Sequence, residues 1–485
     1  MKRTFSLFCL ATTIFASCIT KTKDAKKPNV LMIYMDDLRP ELACYGLPNI
    51  KSPNIDLLAN EGIQFTNAYC NVAICGASRA SMLTGLYPTK DHFISYDVYV
   101  KEEKPQITSM IKSFKNSGYT TVSNGKIFHH MDDNPNDWDE IWRPHAFEKN
   151  DKGLTPVEYW ESLWRDYQLP ENKLTYAKNN NGPAFECADV PDSTYIDGLL
   201  VEKVIRDMHR LKETNKPFLL TAGFNSNHLP FNAPKKYWDM YDEKDVKLPY
   251  NNFVPKNAPQ ISIGNWGELR GYMGMPKKGA VDSANAVKLI HGYYATVSYV
   301  DALIGKLIGA LKREGLDENT IVVLVSDHGY NLMEHTLWAK YKNYKTSMQV
   351  PFIISVPGYS TGVKNDELVE LVDVYPTMVE LCGLKAPSHQ LEGKSIVPLL
   401  KDPKTKGKEF VFTKNATGFS IRSRDYCYTE YINLKTFQTK ASMLYDLSVD
   451  PDENENVVDY PKYATVVAEM KTILHENFNK QINGL

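Results

Sequence analysis

Cys75 and Arg79 are the residues of this chain best suited to chemistry. They stand four positions apart in a run of small residues, Cys-Gly-Ala-Ser-Arg-Ala-Ser-Met-Leu-Thr-Gly over residues 75–85. A thiol is a potential nucleophile and a guanidinium binds oxyanions, so the pair suits a modified nucleophile that faces an anion. A core cysteine beside a surface arginine is the simpler interpretation, because free cysteines are among the most buried residues. From these two residues alone, the simpler interpretation is the more common one.

Two acidic clusters far apart in the sequence predict a cation site. The apolar run 29–35 ends at Asp36-Asp37, and the apolar run 321–326 ends at Asp327-His328. Three carboxylates in one place imply a hard divalent cation, and calcium fits this ligand type best. Separately, the Asp pair could be a helix cap and the Asp-His pair could be structural.

The elements that must position these residues alternate between strands and helices. Four continuous apolar runs are typical of strands buried on both faces of a sheet: 29–35, 218–224, 321–326 and 350–356. Helical stretches lie between them, at 53–61, 107–116, 195–212 and 287–313. This alternation predicts an α/β fold, with a large, mostly parallel sheet covered by helices on both sides. Ligands of such sheets bind beyond the carboxyl ends of the strands, where both acidic clusters lie.

Two further regions depart from this alternation. Residues 131–191 are rich in Asp, Asn, Pro and Trp with little periodicity, which is typical of a functional insertion or a lid. After residue 403 the pattern changes to short strands, at 409–412 and 419–428, and to a final helix around 463–478. We therefore expect a main domain over 28–403 and a small C-terminal α+β subdomain over 404–485.

The composition excludes some partners. The chain has 485 residues, a formal net charge of -2 and 43% hydrophobic residues, which is ordinary for a globular protein. No broad basic face for nucleic acid is expected, so an anionic substrate needs a local basic pocket.

The N-terminus predicts export. Lys2 and Arg3 precede an apolar stretch over 5–16, which is too short to span a membrane and is typical of a signal peptide over residues 1–18. Phe-Ala-Ser-Cys, ending at Cys18, resembles a bacterial lipobox, in which that cysteine is lipidated and becomes the mature N-terminus. The alternative is an ordinary cleaved signal with an incidental cysteine. We expect a periplasmic protein or an outer-membrane lipoprotein of a bacterium, in contact with a membrane only through this anchor.

The other cysteines do not indicate a disulfide framework. Apart from Cys75 and the two in the signal peptide, five remain, an odd number without paired spacing: Cys44, Cys70, Cys187, Cys382 and Cys427. A single bridge among them stays open.

The run that begins at Cys75 resembles the signature of the type I sulfatases, Cys-x-Ala-Ser-Arg-x-x-Met-Leu-Thr-Gly, whose cysteine a maturation enzyme oxidises to formylglycine. This family usually has proline at position 77, where this chain has Ala77, a departure that the maturation machinery accepts. The eleven-residue match reverses the preference for a core cysteine. Further blocks resemble the iduronate-2-sulfatase branch of the alkaline phosphatase-like superfamily, including Asp36-Asp-Leu-Arg-Pro40, Gly125-Lys-x-x-His129 and Asp327-His-Gly329.

The resemblance implies a role for each matching residue. Arg79 holds the formylglycine hydrate and the carboxylates on the metal side, while Lys126 and Lys340 bind sulfate oxygens. His129 orients and deprotonates a diol hydroxyl, and His228 lies near the leaving oxygen. The ligands implied for one Ca²⁺ are Asp36, Asp37, Cys75, Asp327 and His328. As lone residues, the lysines could be solvated and His129 a loop histidine.

The implied function is hydrolysis of sulfate esters through a formylglycine hydrate and a covalent sulfo-enzyme. The implied substrate is a 2-O-sulfated uronate in short glycosaminoglycan oligosaccharides. Where that branch has Lys-Pro, this chain has Ser226-Asn227, so another sulfated polysaccharide is an alternative. A phosphatase or phosphodiesterase of the same superfamily needs a hydroxyl at position 75 and more Asp and His ligands. A carbohydrate-binding lipoprotein with an inactive site is the remaining alternative.

Overall fold

A computed structural model describes residues 26–144, 166–264, 267–385, 387, 389 and 391–483. The predicted signal peptide, 1–18, lies outside the described residues, as does the centre of the predicted insertion, 145–165. The strands are β1 (Asn29–Met35), β2 (Ile63–Tyr69), β3 (Thr120–Asn124), β4 (Glu140–Trp142), β5 (Phe185–Ala188), β6 (Phe218–Gly223), β7 (Phe231–Pro234), β8 (Thr320–Ser326), β9 (Asn331–Leu332), β10 (Trp338–Ala339), β11 (Phe352–Ser355), β12 (Val363–Glu370), β13 (Val411–Asn415), β14 (Gly418–Arg422), β15 (Tyr426–Ile432) and β16 (Thr439–Asp446).

Five of the described helices correspond to predicted stretches, and the others were not predicted. The helices are α1 (Pro53–Asn60), α2 (Cys75–Thr84), α3 (Val100–Glu103), α4 (Met110–Asn116), α5 (Pro170–Asn179), α6 (Ile196–Glu213), α7 (Lys235–Trp238), α8 (Gly267–Arg270), α9 (Ser283–Arg313), α10 (Lys345–Met348), α11 (Val374–Cys382), α12 (Val397–Lys401) and α13 (Ala464–Asn483). The five that correspond to predicted stretches are α1, α4, α6, α9 and α13. Two starts differ from the prediction because capping side chains set them. Ser109 accepts a hydrogen bond from the Lys112 amide, and Asp282 accepts one from the Asn285 amide.

One large sheet confirms the predicted α/β fold. Its described strands run in the order β12-β2-β11-β8-β1-β6-β3-β4. All neighbouring pairs are parallel except those of β11, which runs antiparallel to both β2 and β8. The sheet is therefore mostly parallel, as predicted.

The side chains of β1 show why both faces of the sheet are covered. Leu31 and Ile33 pack into one hydrophobic cluster with α6 and α9, whereas Val30 and Met32 pack into another with α2, α4 and α11. Successive strand residues point to opposite faces, so a continuous apolar run requires an apolar layer on each side. The helix α9 is long and apolar enough to cross a membrane, but most of it is buried in the first cluster, as in a core helix.

The C-terminal α+β subdomain is also confirmed. The strands β13 to β16 form an antiparallel sheet, and α13 packs on it through Met470 and Leu474. The predicted strand 419–428 is in fact two strands, because the chain turns at 423–425, and β16 was not predicted. The boundary after residue 403 stays a prediction.

A buried ion cluster joins the two parts and allows a stability prediction. The ammonium group of Lys408 lies between the carboxylates of Glu370 and Asp373, 2.7 Å from Asp373 Oδ1. Replacing Lys408 with methionine leaves both buried carboxylates without their cation, so we expect a loss of about 2 kcal/mol in the free energy of unfolding. Urea denaturation measures this loss. The exposed Lys404→Met is the control, and equal stability of the two variants would contradict the prediction.

Candidate active site

The two acidic clusters lie side by side at one edge of the sheet. β1 and β8 are parallel neighbours in a register that pairs Met35 with Ser326, so the next residue of each strand enters the same space. The Asp327 amide donates to the Met35 carbonyl at 3.2 Å, and the Asp37 amide faces Asp327 Oδ1 at 3.3 Å. Asp37 has a left-handed backbone with φ of 62°, which turns the chain away from the strand direction. The predicted juxtaposition of the clusters is therefore present.

Cys75 faces these clusters from the first position of α2. Its side chain is buried, and its Sγ lies 3.2 Å from His328 Nε2. Burial raises the pKa of the Cys75 thiol well above its usual value, so an unmodified thiol here is protonated at neutral pH. The next residue must be glycine, because a Cβ on Gly76 would lie 2.0 Å from the Tyr96 carbonyl oxygen. The small residues of this run thus allow close packing around position 75.

Arg79, one turn along α2, is fully buried behind the centre. Its Nε donates to Asp327 Oδ2 at 2.9 Å, and its Nη2 lies 3.6 Å from Asp36 Oδ1. The same guanidinium donates to the carbonyls of Lys126 and Met35. One cation therefore neutralises carboxylates from both clusters and ties together three separate chain segments.

The donor set of the centre fits a divalent cation. Ligand atoms of Asp36, Asp37, Cys75 and His328 all lie within 4.8 Å of one another and are buried. Oδ1 of Asp36 and Oδ1 of Asp37 accept no hydrogen bond from the described residues, which leaves them available to a metal. Asp327 adjoins this group, with its Oδ1 3.7 Å from His328 Nε2, while its Oδ2 accepts from Arg79. The structure thus gathers four of the five predicted ligands.

Lys126 and Lys340 each pair with one carboxylate of the centre. Lys126 Nζ lies 2.5 Å from Asp36 Oδ2, and Lys340 Nζ lies 2.9 Å from Asp37 Oδ2. Burial raises the pKa of Asp36, but Lys126 and Arg79 outweigh it and bring that pKa well below its usual value. Burial dominates at Asp37 and raises its pKa despite Lys340. Both lysines are buried beside the acidic clusters, so the alternative that they are solvated surface residues is wrong.

The two predicted histidines have different environments. His129 is buried, and burial together with Lys126 holds its pKa well below the usual value, so its imidazole is neutral. His228 lies with Nε2 3.9 Å from Asp37 Oδ2 and with Nδ1 2.7 Å from the Leu229 carbonyl. A neutral imidazole suits a base and an imidazole beside carboxylates suits an acid, so the two sites are chemically distinct.

Sequence reasoning missed Glu268, which belongs to the same centre. Its Oε1 lies 2.9 Å from His228 Nε2, and its carboxylate lies 3.2 Å from Lys340 Nζ. Glu268 stands on α8, a helix of only four residues, which is too short to give a periodic pattern. Asp197 was missed too; it accepts the amides of Asn225 and Ser226 and so fixes the loop before His228.

Asp37, His228 and Glu268 also bring their ligand atoms within 4.8 Å of one another. This is the type of extra group that a two-metal phosphatase needs. Here, however, Lys340 Nζ lies within reach of both carboxylates, and position 75 carries a thiol where that alternative needs a hydroxyl. The geometry favours a centre with one cation and several ammonium or imidazole groups.

Two protein families match most of the chain. The family described as "Sulfatase" matches residues 28–384. The family described as "N-sulphoglucosamine sulphohydrolase, C-terminal" matches residues 333–480. The two matches overlap and together include every predicted site residue.

Known proteins give the same result. The chain is similar to the iduronate 2-sulfatase of Homo sapiens, with 31% identity over 88% of this chain and 90% of the relative. A solved structure in complex with its substrate D-glucosamine-2-N,6-O-disulfate superposes with a TM-score of 0.73 at 21% identity, covering 94% of this chain and 98% of the other. A solved 2-O GAG sulfatase superposes with a TM-score of 0.68 at 21% identity, covering 94% and 92%. The chain therefore belongs to the sulfatase family and is a sulfuric ester hydrolase.

Proposed function

We propose that this sulfatase removes 2-O-sulfate from uronate residues of glycosaminoglycan oligosaccharides. It does so through a formylglycine hydrate derived from Cys75 and a covalent sulfo-enzyme. The observation that carries the proposal is the position of Cys75, which is buried against the acidic clusters and enclosed by cationic side chains. Similarity to the human iduronate 2-sulfatase and to the fold of a 2-O GAG sulfatase supports the choice of substrate.

The residues around position 75 divide the tasks of ester cleavage. Lys126 and Lys340 are compact cations that can receive sulfate oxygens, and charge neutralisation of this kind lowers the barrier most when the cations are already in place. His129, which is neutral, can accept a proton from the nucleophile, and His228 can give one to the leaving oxygen. A bound aldehyde hydrate supplies two hydroxyls, so that one can attack sulfur and the other can expel sulfate afterwards.

We propose that one calcium ion binds Asp36, Asp37, position 75, Asp327 and His328, where it would act as a Lewis acid toward the sulfate. Chelation with EDTA should therefore lower both the activity and the thermal unfolding midpoint, and added Ca²⁺ should restore both. A ligand at about 100 times its Kd stabilises the folded state by about 2.7 kcal/mol. Activity assays and thermal unfolding with and without Ca²⁺ measure the effect. An Asp37→Asn control should not respond to Ca²⁺, and an unchanged midpoint after chelation would contradict the site.

Two segments of the sequence support a proposal for maturation and location, namely the signature at Cys75 and the N-terminal segment 1–18. A formylglycine-generating enzyme of the host must act on Cys75, and the segment 1–18 directs export, with a lipid on Cys18. We propose the periplasm or the outer membrane as the location. Cell fractionation of the wild type and of a Cys18→Ala variant tests this: the variant should move from the membrane to the soluble exported fraction.

A screen of defined sulfated disaccharides tests the substrate. Among disaccharides that differ only in the position of one sulfate, we expect the fastest sulfate release from the 2-O-position of the uronate. Release from the 6-O- and N-positions of glucosamine should be much slower. Cleavage of sulfates on other sugars only would instead favour another sulfated polysaccharide. That second candidate is supported by Ser226-Asn227, which places no cation beside the leaving-group histidine where the iduronate branch has lysine.

A further inference from the structure

Glu268 connects two side chains to which the proposed function gives different tasks. Its Oε1 lies 2.9 Å from Nε2 of His228, the proposed acid for the leaving oxygen, and 3.2 Å from Nζ of Lys340, a proposed ligand of the sulfate oxygens. Its Oε2 also lies 3.2 Å from Lys340 Nζ and accepts no hydrogen bond from the described residues. The carboxylate therefore bridges an imidazole and an ammonium within the site.

The contacts of His228 define where its protons are. Nδ1 lies 2.7 Å from the Leu229 carbonyl oxygen, which can only accept, so Nδ1 carries a hydrogen. Nε2 faces the Glu268 carboxylate, which also accepts when ionised. The Lys340 ammonium lies 3.2 Å from both Glu268 oxygens, and this contact favours the ionised carboxylate. Both ring nitrogens thus meet acceptors, which favours a hydrogen on Nε2 as well.

Lys340 argues against a second metal ion at this position. Asp37, His228 and Glu268 could form a ligand set, but the Lys340 ammonium already lies 2.9 Å from Asp37 and 3.2 Å from Glu268. A cation placed among them would meet this ammonium at short range in a buried site, where like charges repel strongly. We therefore assign Glu268 a role in binding His228 and Lys340, and not in binding a second metal ion.

We infer that Glu268 is a positioning residue that holds the Nε2–H of His228 at the reacting centre for the leaving oxygen. When substrate binds, the leaving oxygen replaces Glu268 as the acceptor of the Nε2–H, and Glu268 keeps Lys340 as its partner. As the bond between sulfur and the leaving oxygen breaks, its electron pair stays on that oxygen, which takes the proton from Nε2. His228 becomes neutral and keeps its Nδ1–H on Leu229, and Glu268 remains a carboxylate throughout. The inference rests on the proposed role of His228 but not on the identity of the sugar.

A series of substituted phenyl sulfates tests this inference, with kcat/KM measured for wild type and Glu268→Gln. A phenol of low pKa can leave as the phenolate, whereas a phenol of high pKa must be protonated as it leaves. Loss of a positioned acid therefore lowers kcat/KM most for the phenols of high pKa. We expect Glu268→Gln to lower kcat/KM only about threefold for 4-nitrophenyl sulfate and about 100-fold for unsubstituted phenyl sulfate. The plot of log kcat/KM against leaving-group pKa should become steeper.

Two controls make the outcome decisive. The exposed Glu213→Gln should leave the whole series unchanged. The single variant His228→Gln and the double variant His228→Gln/Glu268→Gln should have the same kcat/KM for every phenyl sulfate. If Glu268 acts through His228, its replacement has no further effect once His228 is replaced. An equal loss for all phenols, or none, would overturn the inference. The phenyl sulfates contain no sugar, so their hydrolysis does not depend on the proposed saccharide. A wrong sugar assignment would change the result of the disaccharide screen and leave the phenyl sulfate series unaffected.

Discussion

Replacing Cys75 with alanine is expected to lower sulfate release by a factor of at least about 10⁴, because the variant has no group that can become the nucleophile. The rest of the centre should remain folded, since alanine fits the space of a buried cysteine at the start of α2. Steady-state hydrolysis of 4-nitrophenyl sulfate measures the loss. The mass of the peptide that contains position 75, from protein matured in its native host, should show an aldehyde in the active wild type.

Cys70 provides the matched control for this experiment. It is a second buried cysteine, five positions earlier, and its sulfur lies against the Ser347 carbonyl and the Met348 sulfur. Cys70→Ala removes the same atoms and should keep activity within about threefold of the wild type. Full activity in Cys75→Ala, or full activity of a wild type whose peptide carries an intact thiol, would contradict the proposed nucleophile.

Much of the fold and of the centre could be predicted because they depend on local patterns. The apolar run 29–35 has the bounds of β1, and a parallel neighbour ending at Ser326 follows from the same rule. The acidic residues that follow both strands must then meet at one edge. The sequence does not show that β1 and β8 are neighbours with Met35 paired to Ser326, and the structure supplies this register.

The orientation of side chains could not be predicted in the same way. Asp327 is predicted as a metal ligand, but no sequence pattern indicates that its Oδ2 also accepts from Arg79, a partner 248 residues away in the sequence. Glu268 has no local signal, because α8 is too short for a periodic pattern and its partner Lys340 is 72 residues away. Such contacts depend on how separate elements pack, and a single sequence shows no trace of that packing.

Replacing Arg79 with methionine is expected to lower the free energy of unfolding by about 3–5 kcal/mol. The guanidinium is fully buried, and its loss leaves the carboxylates of Asp36 and Asp327 in the interior without their shared cation. It also leaves the carbonyls of Lys126 and Met35 without a donor. Urea denaturation of the variant, made in the Cys75→Ala background to separate stability from maturation, measures the change.

Lysine at position 79 separates charge from geometry. Arg79→Lys keeps a cation but has no planar fork, so it cannot reach Asp327 and both carbonyls at once, and we expect it to recover less than half of the loss. Arg206→Met, at a side chain that is 64% exposed, should change stability by less than about 0.5 kcal/mol. If Arg79→Met is as stable as Arg206→Met, the buried carboxylates do not need this guanidinium. The charge balance that we assign to the whole centre would then be wrong.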